Sequence, residues 1–144
     1  MALVPKVGFK KRFVEPILIG TKVHTLRVPP KREPKIGETL FMYTGLRTKH
    51  CEFITDKEKL ISKQKAVIII RRKPMVKGLN VFVYDISVSV DRRILSSDEL
   101  EIFVQYDGFK NVADFCNFWF IGEKKTKRKV GGLLNLYHWT DLRY

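Results

Sequence analysis

Eight consecutive residues, Gly20-Thr21-Lys22-Val23-His24-Thr25-Leu26-Arg27, bring an amine, an imidazole, a hydroxyl and a guanidinium into one short segment. A threonine hydroxyl is a poor nucleophile unless a neighbouring base takes its proton. A lysine kept from water is one of the few side chains able to do so. Lys22 and Thr25 are three residues apart, on opposite faces of an extended strand but on one face of a turn. Spacing alone leaves the plainer account standing, in which Lys22 follows a helix C-terminus, where a cation is favoured anyway, and Thr25 is an ordinary strand threonine. Arg27 and Arg47 carry planar forks that suit a phosphate or a nucleobase edge, and Lys49 follows close by. Tyr43 offers a ring for stacking, although it lies in an apolar strand. His24 has no His or Cys at ligand spacing, so it reads as a lone strand imidazole within the binding segment. No P-loop, dinucleotide fingerprint or metalloprotease motif is present, and no cofactor or metal is expected.

Charge points to the partner. Lys and Arg outnumber Asp and Glu by 28 to 15, for a net charge of +13. Such an excess favours a polyanion such as RNA or DNA. Lys124, Lys125, Lys127, Arg128 and Lys129 crowd into residues 124–129, a solvated loop that would raise the local anion concentration if it borders a polar cleft. At 144 residues, with 44% hydrophobic content, the chain reads as one globular domain over residues 1–144. No apolar run approaches the roughly 18 residues of a spanning helix, and the N-terminus lacks a signal-peptide core, so a cytosolic protein without a membrane role is expected. Cys51 and Cys116 are expected to be reduced and packed.

The elements that must position these groups follow from local signals. Glu15-Pro16 opens a short helix that Gly20 ends, because proline is tolerated in a first turn and glycine at a C-terminus. Residues 29–34 hold three prolines and form an exposed loop, followed by a turn at residues 35–38 and a strand at 39–43. The charged residues 48–65 read as a loop with one helical turn near 56–60. Residues 66–71 are β-branched and form a buried strand. A hairpin connection at 77–80 leads to residues 81–90, where Phe82, Tyr84, Ile86, Val88 and Val90 alternate with polar positions and face the core. Ser96 and Glu99 form a capping box for a helix carrying Leu100, Phe103 and Val104 and ended by Gly108. Asn111 caps another helix, whose Val112, Phe115, Cys116 and Trp119 form an aromatic core stripe. Gly131-Gly132 reads as a turn before a last strand at 133–139. Short helices among strands without strict alternation indicate an α+β fold with a small, mostly antiparallel sheet.

Residues 20–27, with the apolar run 13–19 before them and Tyr43-Thr44-Gly45-Leu46-Arg47-Thr48-Lys49 after, resemble the signature of the ASCH family, a branch of the PUA-like barrels. The resemblance runs from Phe9 to Tyr144 and is nearest to the stand-alone proteins of phages and bacteria. It implies a closed or partly open β-barrel of five to six mostly antiparallel strands with two to three flanking helices. It makes His138-Trp139-Thr140-Asp141 a closing strand with a structural role. It also implies that Lys22 and Thr25 stand where the family's acetylcytidine amidohydrolases place a catalytic lysine and threonine. The family's glutamate falls on Asp107, one methylene shorter, in the turn Tyr106-Asp107-Gly108-Phe109. The expected function is RNA or modified-nucleoside binding. The alternatives are an amidohydrolase or ribonuclease of the ASCH type using Lys22, Thr25 and Asp107, or a phage-type accessory protein that binds a host factor.

Overall fold

The computed structural model describes residues 6–74, 82–120 and 129–144. They form an α+β domain with two sheets and three α-helices. The smaller sheet contains β1 (Lys6–Phe9), β3 (Phe41–Thr44) and β4 (Glu52–Thr55) in the order β1-β3-β4, with β1 parallel to β3 and β4 antiparallel to it. The larger sheet is antiparallel throughout, in the order β2-β8-β5-β6-β7. Its strands are β2 (His24–Arg27), β5 (Ser62–Pro74), β6 (Phe82–Val90), β7 (Arg93–Ile94) and β8 (Lys129–His138). The two sheets are not closed into a barrel, and the described residues hold eight strands rather than five to six, which corrects the closed form and the strand number of the expectation. The strands divide instead between the antiparallel sheet and a separate three-stranded mixed one. The connection between the sheets that bears on the site is a side-chain bond: Arg27 Nη2 on β2 donates to the Gly8 carbonyl on β1 at 2.5 Å.

Local chemistry explains most boundaries. Helix α1 (Val14–Ile19) ends on Gly20 at φ 84°, in the left-handed region that glycine enters without strain. Helix α2 (Ser97–Tyr106) starts at the capping box, with Ser96 Oγ accepting from Glu99 N and Glu99 Oε1 accepting from Ser96 N. It ends in paired return bonds, Phe109 N to Val104 O and Gly108 N to Gln105 O, the pattern that satisfies terminal carbonyls around a left-handed glycine. Helix α3 (Val112–Phe120) is capped by Asn111, whose Oδ1 accepts from Asp114 N at 2.8 Å. On β6, Val88 and Val90 are buried and Tyr84 and Ile86 pack against the same core, while Val83, Asp85 and Ser87 are exposed.

Several local expectations fail, among them the loop at 48–65, since β5 already starts at Ser62, and the closing strand at 138–141, since β8 ends at His138. Residues 52–55 are a strand, and the stretch after them has no helical turn; Thr39 and Lys59 instead form an isolated bridge. Among the described residues strand β4 pairs only with β3 and so is an edge, with Glu52 and Phe53 exposed and only Ile54 and Thr55 buried. An edge strand does not need the alternating signature by which sequence reading finds strands. Gly131 and Gly132 lie inside β8, opposite Ile69 and Ile68, rather than in a turn. A Cβ on Gly131 would lie 2.1 Å from the Ile68 carbonyl oxygen, so glycine is what allows the two strands this close. Cys51 is exposed rather than packed; it and the buried Cys116 are both free thiols. Among the described residues no helix is long and apolar enough to cross a membrane.

Candidate functional site

Lys22 is fixed by two helix ends. Its backbone N–H donates to the Pro16 carbonyl of α1, and the next amide, Val23 N, donates to the Tyr106 carbonyl of α2. This carries the side chain to the C-terminus of α2, where carbonyls and the helix dipole favour a cation. Nζ then has three acceptors: the Asp107 carbonyl at 2.5 Å, the His24 carbonyl at 2.8 Å and Asp107 Oδ1 at 3.4 Å. Three acceptors match the three protons of an ammonium. The group also lies 4.7 Å from the centroid of the Phe13 ring. Gly108 permits the approach, since a Cβ there would sit 2.9 Å from Phe13 and 3.0 Å from Lys22 Cδ.

Lys22 is 2% exposed, and burial drives its pKa from the ordinary 10.5 to about 8, with the Asp107 carboxylate opposing the fall. Asp107, at a helix C-terminus that disfavours an anion, is held there by Lys22 and His24. His24 is not the lone imidazole that its sequence context suggests. Its Nδ1 lies 3.0 Å from Asp107 Oδ1 and its Nε2 2.7 Å from the Tyr144 hydroxyl. Burial lowers the His24 pKa, so the ring is neutral at neutral pH: Nδ1–H donates to Asp107 and the Tyr144 O–H donates to Nε2. Lys22, Asp107, His24 and the partly buried Tyr144 thus form one hydrogen-bonded chain. Tyr144 was not legible as a partner, being 120 residues from His24.

Above this chain opens a cleft of about 540 Å³ between β1 and the β3–β4 loop on one side and β2, the end of α2 and α3 on the other. Lys22, Thr25, Arg27 and Asp107 all line it, so segments remote in sequence meet there. The Thr25 hydroxyl makes no hydrogen bond among the described residues, and none of the Lys22 protons is directed to it. Phe9, Phe13 and Phe109 form apolar wall, as do Phe118 and Trp119 of α3, and Lys10 and Lys11 stand at the rim. The α3 aromatics therefore divide: Phe115 and Phe120 fill the core, whereas Trp119 is only partly buried and faces the cleft lining. Helical spacing marked the stripe, but not which of its members would be left at the edge of the core. Two buried donors in this lining, Arg27 Nε and Trp119 Nε1, have no partner among the described residues. Buried N–H groups are rarely left so; both atoms lie beneath the surface of the cleft.

The remaining expected site residues lie elsewhere. Arg47 lines a neighbouring cleft. Tyr43 lines neither cleft; it packs edge-to-face on Phe53, with Lys6 Nζ 5.8 Å from its ring centroid. Lys49 is exposed on the β3–β4 loop, outside both linings. Lys124, Lys125, Lys127 and Arg128 lie outside the described residues, as does the hairpin connection at 77–80, and Lys129 opens β8. Among the described residues no group of three or more His, Cys, Asp or Glu is placed to hold a metal ion.

No family model matches this chain, and no curated protein or solved structure does either.

Proposed function

We propose that this protein is an ASCH-type domain that binds a nucleobase, as a modified nucleoside or within RNA, in the cleft above Lys22. The observation that carries this reading is the cleft lining itself, where the polar side chains of Lys22, Thr25, Arg27 and Asp107 meet the rings of Phe9, Phe13, Phe109, Phe118 and Trp119. A planar base supplies polar edges for such side chains and a π-face for the rings. The resemblance of residues 20–27 and 43–49 to the ASCH signature supports it, and on this reading the two sheets are a PUA-like arrangement left open. The net charge of +13 fits a polyanionic partner in the cytosol.

Binding is favoured over turnover because the Lys22 ammonium donates all its protons to fixed acceptors. A nitrogen in that state has no lone pair with which to deprotonate Thr25. One observation favours the second reading, an acetylcytidine amidohydrolase. With a pKa of about 8, Lys22 is partly neutral near physiological pH, and Thr25 and Asp107 line the same cleft.

Calorimetric titration with cytidine, acetylcytidine and a short single-stranded RNA, each also followed for hydrolysis, tests both. On the binding reading Thr25→Ala weakens the best ligand by about 0.5–1.5 kcal/mol. On the enzymatic reading it abolishes turnover and leaves binding intact. A folded sample that binds none of these ligands and turns none over would refute both.

A further inference from the structure

The base cleft has a neighbour across Arg27. A second cleft, of about 670 Å³, shares Gly8, Arg27 and Leu46 with it as a common wall. Lys6, Lys31, Arg32 and Arg47 line this second cleft, and all four are exposed. None of the four forms an ion pair among the described residues; the ion pairs there involve other cations. The one carboxylate among the described residues of the lining, Glu33, is already engaged, accepting from Asn135 Nδ2 and lying 3.8 Å from Lys63 Nζ. Arg47 holds a left-handed backbone at φ 69°, an uncommon conformation for a residue with a side chain. Lys10 and Lys11, in the lining of the base cleft, are also exposed and without an ion pair among the described residues. Cations without an ion pair among the described residues therefore line both the aromatic cleft and its neighbour.

Resting on the base-cleft reading, we propose that the second cleft carries the phosphodiester backbone next to the bound base, so that the ligand is a single-stranded oligonucleotide rather than a free nucleoside. A free nucleoside has no phosphate and leaves Lys6, Lys31, Arg32 and Arg47 without a role. A base in a duplex is stacked and paired and does not reach a walled cleft, whereas a single strand offers unstacked bases beside exposed phosphates. The apolar lining of the first cleft favours a nucleic acid over an acidic protein, since carboxylate side chains have no face to set against Phe9, Phe13 and Trp119.

The test compares cytidine, cytidine monophosphate, a short single-stranded RNA, the duplex of the same sequence and polyglutamate, binding each to the parent protein and to the double variant Arg32→Gln, Arg47→Gln. Both side chains are exposed, so the variant should fold, and its thermal midpoint verifies this. The expected order of affinity is single-stranded RNA above the monophosphate and the monophosphate above the nucleoside. The double variant should weaken the RNA, leave the nucleoside unchanged, and reduce the salt slope of log affinity by about 1.4, at about 0.7 for each phosphate no longer neutralised. RNA binding no tighter than cytidine, or an unchanged salt slope in the variant, overturns the proposal and leaves the base cleft standing. Tighter binding of polyglutamate or of the duplex than of the single strand overturns it in favour of a protein or a duplex partner. Failure of every probe removes the base-cleft reading and this proposal together.

Discussion

Asp107→Asn isolates the buried charge at the centre of the site. In the parent, the pKa of Lys22 is about 8 in the folded state and 10.5 when unfolded. Between those values the unfolded chain binds the extra proton, so stability rises with pH across that window and the penalty is fully present below it. At about 1.36 kcal/mol per pH unit, the gap amounts to roughly 3 kcal/mol of destabilisation at neutral pH, even with the carboxylate in place. Asparagine removes the opposing charge but keeps an amide oxygen that can accept from His24 Nδ1, and both backbone acceptors of Lys22 remain. The Lys22 pKa should then fall further below its parent value. Stranding one member of a buried pair costs about 3–5 kcal/mol, and that loss should appear in full near pH 6. At about pH 9.5 the amine is neutral in both folded proteins, and the difference between them should shrink by more than half. Urea unfolding of parent and variant at the two pH values, followed by tryptophan fluorescence, reads this directly. A difference that is the same at both pH values, or below about 1 kcal/mol at the lower one, would refute the account of Lys22 as a buried ammonium held by Asp107.

Further consequences concern the rest of the hydrogen-bonded chain and the sheet. Tyr144→Phe leaves His24 Nε2 without its donor and should cost about 1–3 kcal/mol in urea unfolding at neutral pH; no measurable loss would mean that this bond is not formed in solution. His24 and His138 both have pKa values lowered by burial, His138 to about 3. Each is neutral when folded and takes up a proton when unfolded below about 6.5, so stability should fall as pH drops from about 7 to about 5, with a slope approaching two protons. A flat profile there would contradict the buried neutral rings. Gly131→Ala forces a Cβ against the Ile68 carbonyl at φ 117° and should lower the thermal midpoint by about 10 °C or more; a drop below about 3 °C would show that β5 and β8 can separate without cost.

Much of the local structure was legible because its causes are local. The Ser96–Glu99 box, the Asn111 cap and the glycine stops at Gly20 and Gly108 depend on residues within one turn of each other. The alternation on β6 reports a single buried face, which needs no knowledge of what covers it. The edge strand β4 was missed because one neighbour and an exposed face impose little pattern, and Gly131-Gly132 was misread because glycine marks close backbone approach as readily as a turn.

For the site, the sequence by itself determined the inventory: a lysine and a threonine three apart, an arginine two further on, and an excess of cations to attract an anion. It also placed Asp107 in a turn at a helix end. Only the tertiary structure decided what those groups are. It brought Asp107, 85 residues away, onto Lys22, and Tyr144 onto His24, making a linked chain of what reads in sequence as isolated polar residues. It divided the α3 aromatics between core and cleft, and set Arg47 beside a second basic cleft rather than the first. The physical reason is that burial, and with it the cost of a charge or the value of a donor, belongs to the space between elements. That space exists only once segments far apart in the chain have packed together.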